Sequence, residues 1–332
     1  MSVTHVAVIG AGLAGCILAR KLAESGINIS VFEKSRGTGG RLASTRLGSD
    51  TADLGSVALT PDTTEFSDWL EAQQNQGQLH LWPAKKADFE LNALPDALLY
   101  TGNNRLSALT RELLNHDNIQ LNNQIRITQI EPAMSGKLLR DEQNNPQGEF
   151  DHVVIATPAP QATPLLETIP AYQALSRQVT PEVRWVNVIA LPEPADIPYD
   201  WLEGHHTILE KAVRESHKPE RSSHSEIWVL HATPEWSQRH MDSDQAWVAD
   251  QLQEAFSSVT GQPAGPELNR CHRWLYSTNQ SLNLDQYSLY APDQGISVCG
   301  DWLKGHGFSA SWHSAMELSQ QLIKDIPAED IT

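Results

Sequence analysis

The chain has few of the residues that build disulfide, redox-dithiol or metal sites. Its 332 residues include three cysteines, Cys16, Cys271 and Cys299, which lie far apart and form no CxxC pair. We therefore expect these thiols to be small buried side chains in a reducing cytoplasm. The adjacent His205 and His206 would face opposite ways on a strand, and no carboxylate pattern accompanies them. We therefore predict no metal site.

Cations are also scarce, and no apolar run is long. Lysine and arginine number 24 against 41 aspartates and glutamates, so the formal net charge is -17. Because phosphate-rich partners need clustered cations, we expect neither nucleic acid nor an anionic membrane surface as a partner. The apolar residues 6–19 are interrupted by glycines and are too short for a membrane span. We expect a cytoplasmic protein with a small-molecule substrate, and the sequence leaves its oligomeric state open.

The first 33 residues have the pattern of a strand, a helix and a second strand. Residues 5–9 form an apolar run that ends at Gly10, residues 13–24 have helical spacing, and residues 27–33 alternate. This pattern predicts a βαβ unit with two parallel strands. Further strands are predicted within 119–130, 150–156 and 295–299, and a last helix over 309–323. The chain is therefore predicted to be an α/β protein with a Rossmann-type domain.

Two other segments, rich in tryptophan and proline, separate these pieces. Alternating patterns at 184–191 and 226–232 predict strands of a second sheet. We expect a nucleotide-binding domain of residues 1–56, 101–164 and 291–332, with an inserted α+β substrate domain of residues 57–100 and 165–290. The polar residues 205–225 are expected to form an exposed loop.

The residues from Gly10 to Gly15 match the GxGxxG pattern of dinucleotide-binding turns. In such a turn glycines permit a tight bend, let backbone N–H groups approach a pyrophosphate, and allow close packing of helix on strand. Here the pattern follows a predicted strand and opens a predicted helix, and Glu33 ends the second strand. A carboxylate at that place can accept both ribose hydroxyls. The sequence therefore predicts a dinucleotide ligand.

Later segments distinguish FAD from NAD. Residues 34–41 (KSRGTGGR) follow Glu33 directly and resemble the RxGGR segment of FAD-dependent amine oxidases and their relatives. Residues 150–158 resemble the strand and turn that flavoproteins place beneath the pyrophosphate. Gly300-Asp301 resembles their GD motif, in which the aspartate accepts a hydrogen bond from the ribityl chain and the following helix directs its positive end at the flavin. We therefore predict non-covalently bound FAD.

The residues expected to bind FAD follow from these motifs and this resemblance. They are Gly10, Gly12, Leu13, Ala14, Gly15, Glu33, Lys34, Arg36, Gly40, Arg41, Gly55, Ile127, Thr157, Gly300, Asp301, Phe308, Ser309 and Ala310.

Three further segments resemble the renalase branch of the FAD-dependent amine oxidase superfamily. They are residues 156–162 (ATPAPQA), 228–237 (WVLHATPEWS) and 272–276 (HRWLY), and residues 218–221 (KPER) are similar to that family's KPGR. The resemblance runs from end to end. It implies a p-hydroxybenzoate-hydroxylase-like fold of two domains, bound FAD, and oxidation of isomeric dihydronicotinamide dinucleotides with oxygen as the acceptor.

The departures from this family lie in the segments expected to face the flavin ring. Residues 53–59 (DLGSVAL) keep the family's Asp and Gly but lose its Gln and aromatic pair, and Arg105-Leu106 replaces Gly-Met. Residues 305–312 (GHGFSASW) stand where the family has approximately GGRVEGAW. Two alternatives to the family's substrate therefore stay open. One is another flavin oxidoreductase that acts on an amine or an isoprenoid-like chain, and the other is an FAD-binding protein without turnover.

Few side chains are needed for flavin chemistry, so the remaining candidates concern the substrate. Trp185, Trp228 and Trp274 are the candidates for lining an aromatic pocket, with core packing as the alternative. His306, in the glycine-rich turn before the last helix, is the candidate catalytic residue, because an imidazole there could relay a proton. The cations of the 205–225 segment are expected to form a solvated face rather than a phosphate site; they are Lys211, Arg214, Lys218 and Arg221.

Overall fold

The computed structural model describes residues 5–262 and 265–325. The chain divides into two compact units. The first comprises the residues up to Gly40, Thr110–Pro181 and the residues from Thr278 onward, and the second comprises Arg41–Leu109 and Glu182–Ser277. This division differs from the predicted domain boundaries, because residues 41–56 and 101–109 belong to the second unit and residues 165–181 and 278–290 to the first.

The strands and helices of the described residues are as follows. The strands are β1 (His5–Ile9), β2 (Asn28–Glu33), β3 (Ser44–Leu47), β4 (Asp50–Asp53), β5 (Leu79–Leu81), β6 (Lys86–Ala87), β7 (Tyr100–Gly102), β8 (Ile119–Asn123), β9 (Ile127–Ala133), β10 (Gly136–Asp141), β11 (Pro146–Phe150), β12 (His152–Ile155), β13 (Pro181–Leu191), β14 (Trp201–Glu203), β15 (Leu209–Arg214), β16 (Glu226–Ala232), β17 (Leu268–Asn279), β18 (Ser288–Ala291) and β19 (Ile296–Cys299). The helices are α1 (Leu13–Glu24), α2 (Thr64–Asn75), α3 (Ser107–Leu113), α4 (Ala159–Ala162), α5 (Pro170–Gln178), α6 (Pro234–Arg239), α7 (Gln245–Thr260) and α8 (Gly307–Asp325).

The first unit is built on a six-stranded sheet with the order β18-β19-β12-β1-β2-β8. Its strands pair in parallel except for β18, which runs antiparallel to β19. Parallel strands covered on both faces are almost wholly apolar, and β1 and β12 are buried along nearly their whole length. The predicted βαβ unit and the predicted α/β fold are confirmed, and the bounds of β1 and α1 agree with those expected.

The second unit holds a six-stranded sheet with the order β17-β13-β16-β15-β14-β6. Side chains alternate between its two faces. Trp185 and Trp228 lie on the face that packs against Val248 and Phe256 of α7. The opposite face carries a second apolar cluster, which includes Trp82, Val186, Trp201, Val213 and Val229. The two faces therefore have separate hydrophobic cores.

The segment 205–225 is not the exposed loop that its polarity predicted. It contains β15 and the 3₁₀ turn Glu215–His217, and the side chains of Arg214 and Lys218 are buried. Arg214 donates to the carbonyl of Ile197 at 3.0 Å and its guanidinium stacks over the Trp228 ring at 4.8 Å. Polar residues are buried here because they have charged or hydrogen-bonding partners, which composition alone does not show.

No helix within the described part of the chain combines the length and the apolar character needed to cross a membrane.

A buried histidine of the first sheet predicts a pH-dependent stability. His152 Nε2 lies 2.7 Å from Ser297 Oγ, and burial, with a smaller effect of Lys137, lowers the pKa of His152 to about 4. Between its unfolded pKa, about 6.5, and about 4 the unfolded chain binds more protons, so stability falls as pH falls through this range. The loss amounts to about 3 kcal/mol when complete.

The His152→Gln variant should therefore have a shallower dependence of its unfolding free energy on pH between pH 7 and pH 4.5. Urea denaturation followed by far-UV circular dichroism measures this slope. The exposed His205→Gln variant is the control and should keep the wild-type slope. An unchanged slope in His152→Gln would show that the histidine is protonated in the folded state.

Candidate nucleotide site and a buried charge cluster

Only glycine fits at two positions where the chain passes from β1 into α1: Gly10 in the turn and Gly15 in the first turn of the helix. Gly10 has a φ of 106°, and a Cβ atom there would lie 2.7 Å from the Ala156 carbonyl oxygen. A Cβ atom on Gly15 would lie 2.1 Å from the Gly10 carbonyl oxygen. These two glycines therefore let α1 start directly against the ends of β1 and β12.

Gly12 differs from these two, because a Cβ atom there would meet no heavy atom within 4 Å. Its φ of -77° and ψ of -179° suit any residue, so the backbone itself does not require glycine. Leu13 and Ala14 follow it in the first turn of α1, where helical N–H groups lack intrahelical partners and the helix dipole favours an anion. The open space beside Gly12 fits a group that approaches the backbone closely.

Glu33 ends β2 beside this turn and is 7% exposed. Its Oε2 accepts a hydrogen bond from the Ala11 N–H at 3.0 Å, and its Oε1 accepts one from the Ser35 N–H at 2.8 Å. A carboxylate has about four lone-pair positions, so acceptor capacity remains for ribose hydroxyls. The two backbone contacts hold the carboxylate in place beside the turn.

The segment after Glu33 returns to the glycine turn. Gly39 donates its N–H to the Ala11 carbonyl oxygen at 2.8 Å and forms a parallel bridge with Gly12. A Cβ atom on Gly40 would lie 3.2 Å from Gly12 Cα, so the two backbones are in close contact. Lys34 and Arg36 are exposed. The backbone of Gly39 and Gly40 therefore lies against the glycine turn, and the binding of the cofactor by this segment stays a prediction.

Two further segments of the first unit bring polar groups to the ends of the strands. Thr157 follows β12; its Oγ1 is buried without a hydrogen-bond partner, and its methyl group would lie 3.2 Å from a Cβ atom on Gly10. Gly300 follows β19 with a φ of 156° and donates its N–H to Ser314 Oγ at 2.8 Å. Asp301 is 7% exposed and accepts a hydrogen bond from Asn279 at 3.5 Å. The unpartnered hydroxyl of Thr157 is a group that a ligand at the turn would satisfy.

The remaining predicted residues of this unit have more varied surroundings. Ile127 belongs to the apolar core in β9. At the start of α8, Ser309 and Ala310 are buried and Phe308 is half-buried, whereas His306 is exposed in the preceding turn. The role of His306 in proton transfer stays a prediction.

A cavity of about 430 Å³ lies elsewhere on the first unit and is lined by residues including Pro160, Thr163, Glu167 and Arg177. None of the predicted binding residues lines it, so this cavity has no part in the candidate site.

Three further residues of the predicted sites, Arg41, Gly55 and Trp274, belong to the second unit. A Cβ atom on Gly55 would lie 2.1 Å from the Arg41 carbonyl oxygen, so only glycine is accommodated there. Trp274 is half-buried and donates its indole N–H to the Leu54 carbonyl at 3.1 Å. Arg41 donates to the Ser277 carbonyl at 3.4 Å. The three residues therefore belong to one part of this unit.

Two of the tryptophans predicted to line a substrate pocket are core residues. Trp228 is fully buried, with its indole N–H donated to Glu226 at 2.8 Å, and Trp185 is 3% exposed, with its N–H donated to the His240 carbonyl at 2.9 Å. Both lie on the α7 face of the sheet. Their contacts correct the prediction, because a strand pattern gives alternation but does not say which face meets the ligand.

Four charged side chains are buried together in the second unit. The sequence analysis named Asp53, Lys218 and Arg221 among its candidates but did not identify Glu215. The Lys218 ammonium lies 3.0 Å from Asp53 Oδ2 and 2.5 Å from Glu215 Oε2, and the Arg221 guanidinium lies 2.9 Å from Asp53 and 2.8 Å from Glu215. The side chains of all four are at most 2% exposed. Lys218 and Arg221 are therefore not the solvated face that was predicted. Asp53 also accepts the Leu106 N–H at 2.7 Å, which ties three chain segments together.

The two carboxylates of this cluster have opposite pKa shifts. Burial raises the pKa of Asp53, but Lys218, Arg221 and the Leu106 N–H outweigh it and the pKa is lowered. Burial and the charge of Asp53 raise the pKa of Glu215. Asp53, which accepts from both cations and one backbone N–H, is the member held ionised, so the cluster depends most on its charge.

Comparison with known proteins shows the fold. Residues 8–72 match the model of a family described as NAD(P)-binding Rossmann-like domain. A putative protoporphyrinogen oxidase from Exiguobacterium sp. superposes with a TM-score of 0.75 at 13% identity, covering 98% of this chain and 100% of that one. Cyclohexylamine oxidase from Brevibacterium oxydans superposes with a TM-score of 0.71 at 12% identity, covering 98% of this chain and 99% of that one. A fatty acid isomerase from P. acnes gives 0.68 at 10% identity, covering 97% and 98%.

These similarities extend over nearly the whole chain, so the predicted fold class is confirmed: α/β, with a Rossmann-type domain in a fold shared with two oxidases and an isomerase. The different names of these proteins show that the fold by itself does not specify a reaction.

Removal of one charge from the buried cluster should be costly. In the Asp53→Asn variant Lys218 and Arg221 keep a single carboxylate between them, and we expect a loss of about 3–5 kcal/mol in unfolding free energy. Chemical denaturation followed by circular dichroism gives this value, with the exposed Asp68→Asn of the same unit as the control.

The double variant Asp53→Asn with Lys218→Met should lose less than the sum of the two single variants, because it removes both members of one pair. Strict additivity would indicate that the two groups do not interact.

Proposed function

We propose that this chain is an FAD-dependent oxidoreductase, most similar in activity to an oxidase, whose first unit holds the dinucleotide non-covalently. The observation that carries the proposal is the open space beside Gly12, flanked by the oriented carboxylate of Glu33 and the unpartnered hydroxyl of Thr157. This arrangement fits a pyrophosphate at the N-terminus of α1 and a ribose at Glu33. The full-length similarity in fold to two oxidases supports the same reading.

Several residues of the first unit would bind different parts of this cofactor. The first N–H groups of α1 would face the pyrophosphate, and Glu33 would accept hydrogen bonds from the ribose. The Asp301 carboxylate would accept from the ribityl hydroxyls, and the N-terminal end of α8, with Ser309 and Ala310, would direct its positive dipole end toward the flavin. Bound FAD would supply an acceptor for the hydride of the substrate, with oxygen as the final electron acceptor. The protein therefore contributes mainly orientation and electrostatics.

For the substrate we propose a small reduced heterocycle of the isomeric dihydronicotinamide class, as the renalase resemblance implies. An amine is the second candidate, and the fold similarity to a cyclohexylamine oxidase favours it. Each candidate substrate must donate a hydride and must therefore reach the reactive ring of the flavin. An FAD-binding protein without turnover is the outcome if neither donates.

Variants of three glycines test the cofactor site. A methyl group on Gly12 meets no protein atom, so Gly12→Ala should fold normally and yet obstruct the approach of the pyrophosphate. We expect at least a tenfold loss of FAD affinity, about 1.4 kcal/mol. Gly37→Ala is the matched control, because a Cβ atom there also meets nothing within 4 Å and it should bind FAD as the wild type does.

Gly15→Ala should instead disturb folding, because its Cβ atom overlaps the Gly10 carbonyl. Fluorescence titration with FAD and circular dichroism separate the two effects. If Gly12→Ala and the wild type bind FAD with equal affinity, the pyrophosphate does not bind at this turn.

Anaerobic titration tests the reaction. The purified protein should carry FAD, and isomeric dihydronicotinamide dinucleotides should bleach its flavin absorption in a stoichiometric manner, with recovery when air is admitted. Cyclohexylamine is the parallel probe for the amine candidate. Bleaching by the amine alone would overturn the dihydronicotinamide substrate, and a flavin that no donor reduces would overturn the oxidoreductase.

A further inference from the structure

One face of the second unit's sheet carries a group of cations. Arg184 of β13, Lys211 of β15 and His231 of β16 alternate in register with Val186, Val213 and Val229, so they lie on the same face as those valines, opposite α7. Lys211 and His231 are direct cross-strand partners. We call these three residues the Lys211 cluster.

Several buried cations of this unit have a carboxylate partner, whereas Lys211 has none among the described residues. Arg184 pairs with Glu210, and the neighbouring Lys86 pairs with Glu203 at 2.7 Å. Among the described residues Lys211 forms no side-chain hydrogen bond or ion pair, and its ammonium lies over the Trp201 ring, 5.6 Å from the centroid. Lys211 is therefore the cation of this cluster that has no salt-bridge partner among the described residues.

The imidazole opposite Lys211 also has an unused polar atom. His231 is 6% exposed, and its Nε2 is buried with no hydrogen-bond partner. A buried polar atom without a partner destabilises the folded state, so such an atom is unusual in a folded protein. A free cation and a free imidazole nitrogen thus occupy facing positions on adjacent strands, where cross-strand Cβ atoms are about 5 Å apart.

Burial lowers the pKa of both groups. For Lys211, burial and the positive charge of Arg184 outweigh the opposing charge of Glu203, its cross-strand partner on β14, and the pKa is lowered to about 8. Burial, followed by Lys211, Arg184 and Lys218, lowers the pKa of His231 well below its ordinary value. An anion placed between the two groups would oppose each of these shifts.

We propose that Lys211 and His231, with Arg184 beside them, bind an oxyanion of the substrate, either a carboxylate or a phosphate group. The ammonium would donate charge-assisted hydrogen bonds to it, and the imidazole would donate through Nε2–H in the corresponding tautomer. That the oxyanion belongs to the substrate rests on the proposed function, whereas the binding of the anion does not.

This assignment refines what the sequence suggested for its four basic residues. Lys218 and Arg221 are neutralised by Asp53 and Glu215, and Arg214 lies near Glu226 at 3.6 Å. Lys211 is the member of that group left without a carboxylate partner among the described residues. An anion site is therefore proposed at Lys211 and not at the other three.

Calorimetric titration of the protein as purified tests the site. Sodium benzoate is the carboxylate probe and inorganic phosphate the phosphate probe, each added at millimolar concentration. We expect the wild type to bind at least one of them and the Lys211→Met and His231→Gln variants to bind it at least tenfold more weakly. The matched control is Lys85→Met, an exposed lysine of the same unit, which should bind as the wild type does.

Lys211→Arg keeps the charge and should retain most of the binding, which separates the loss of an anion contact from a general loss of structure. If Lys211→Met does not fold, the NMR signal of the His231 ring in the wild type, assigned with His231→Gln, should shift on addition of the bound probe. The proposal is overturned if neither probe binds the wild type, or if Lys211→Met and His231→Gln bind like Lys85→Met.

The titration needs no turnover, so its outcome is independent of the redox assay. Bound FAD that is reduced by a donor, without any anion binding, would leave the proposed function in place and remove the Lys211 site. Anion binding to a protein that takes up no FAD would do the reverse.

Discussion

The contact between α1 and the strand turn before it is the constraint on which the candidate site depends. The helix begins so close to β1 that a methyl group at Gly15 would overlap the Gly10 carbonyl, and one at Gly10 would overlap the Ala156 carbonyl. This closeness brings the first N–H groups of the helix, the carboxylate of Glu33 and the hydroxyl of Thr157 to one edge of the sheet. Gly12, whose neighbourhood is open, is then the place where a ligand can meet them.

The second unit is organised by charge to an unusual degree. Two carboxylates and two cations are buried together, with Asp53, Lys218, Glu215 and Arg221 each satisfied by at least two partners. Ionic groups can be buried at a tolerable free energy only when they are paired in this way. Among the described residues of the same unit, the ammonium of Lys211 has no such pair and lies over the Trp201 ring.

Periodicity and turn chemistry predicted the Rossmann-type unit closely. The apolar run before Gly10, the helical spacing up to Glu24 and the strand that ends at Glu33 all have the expected structure. Local signals suffice there because a parallel strand buried on both faces must be apolar throughout, and the glycines mark the turn. The same local signals failed at 205–225, where a polar composition indicated solvent but long-range carboxylates bury the cations.

The sequence by itself determined the βαβ unit, the glycine turn and the acid that follows it, because these depend on residues close together in the chain. The tertiary structure alone decided that Trp185 and Trp228 are core residues, that Asp53 neutralises Lys218 across 165 positions, and that Lys211 faces His231. Which face of a strand is buried, and whether a charge has a partner, are set by contacts between distant segments. A local sequence pattern therefore does not predict those contacts.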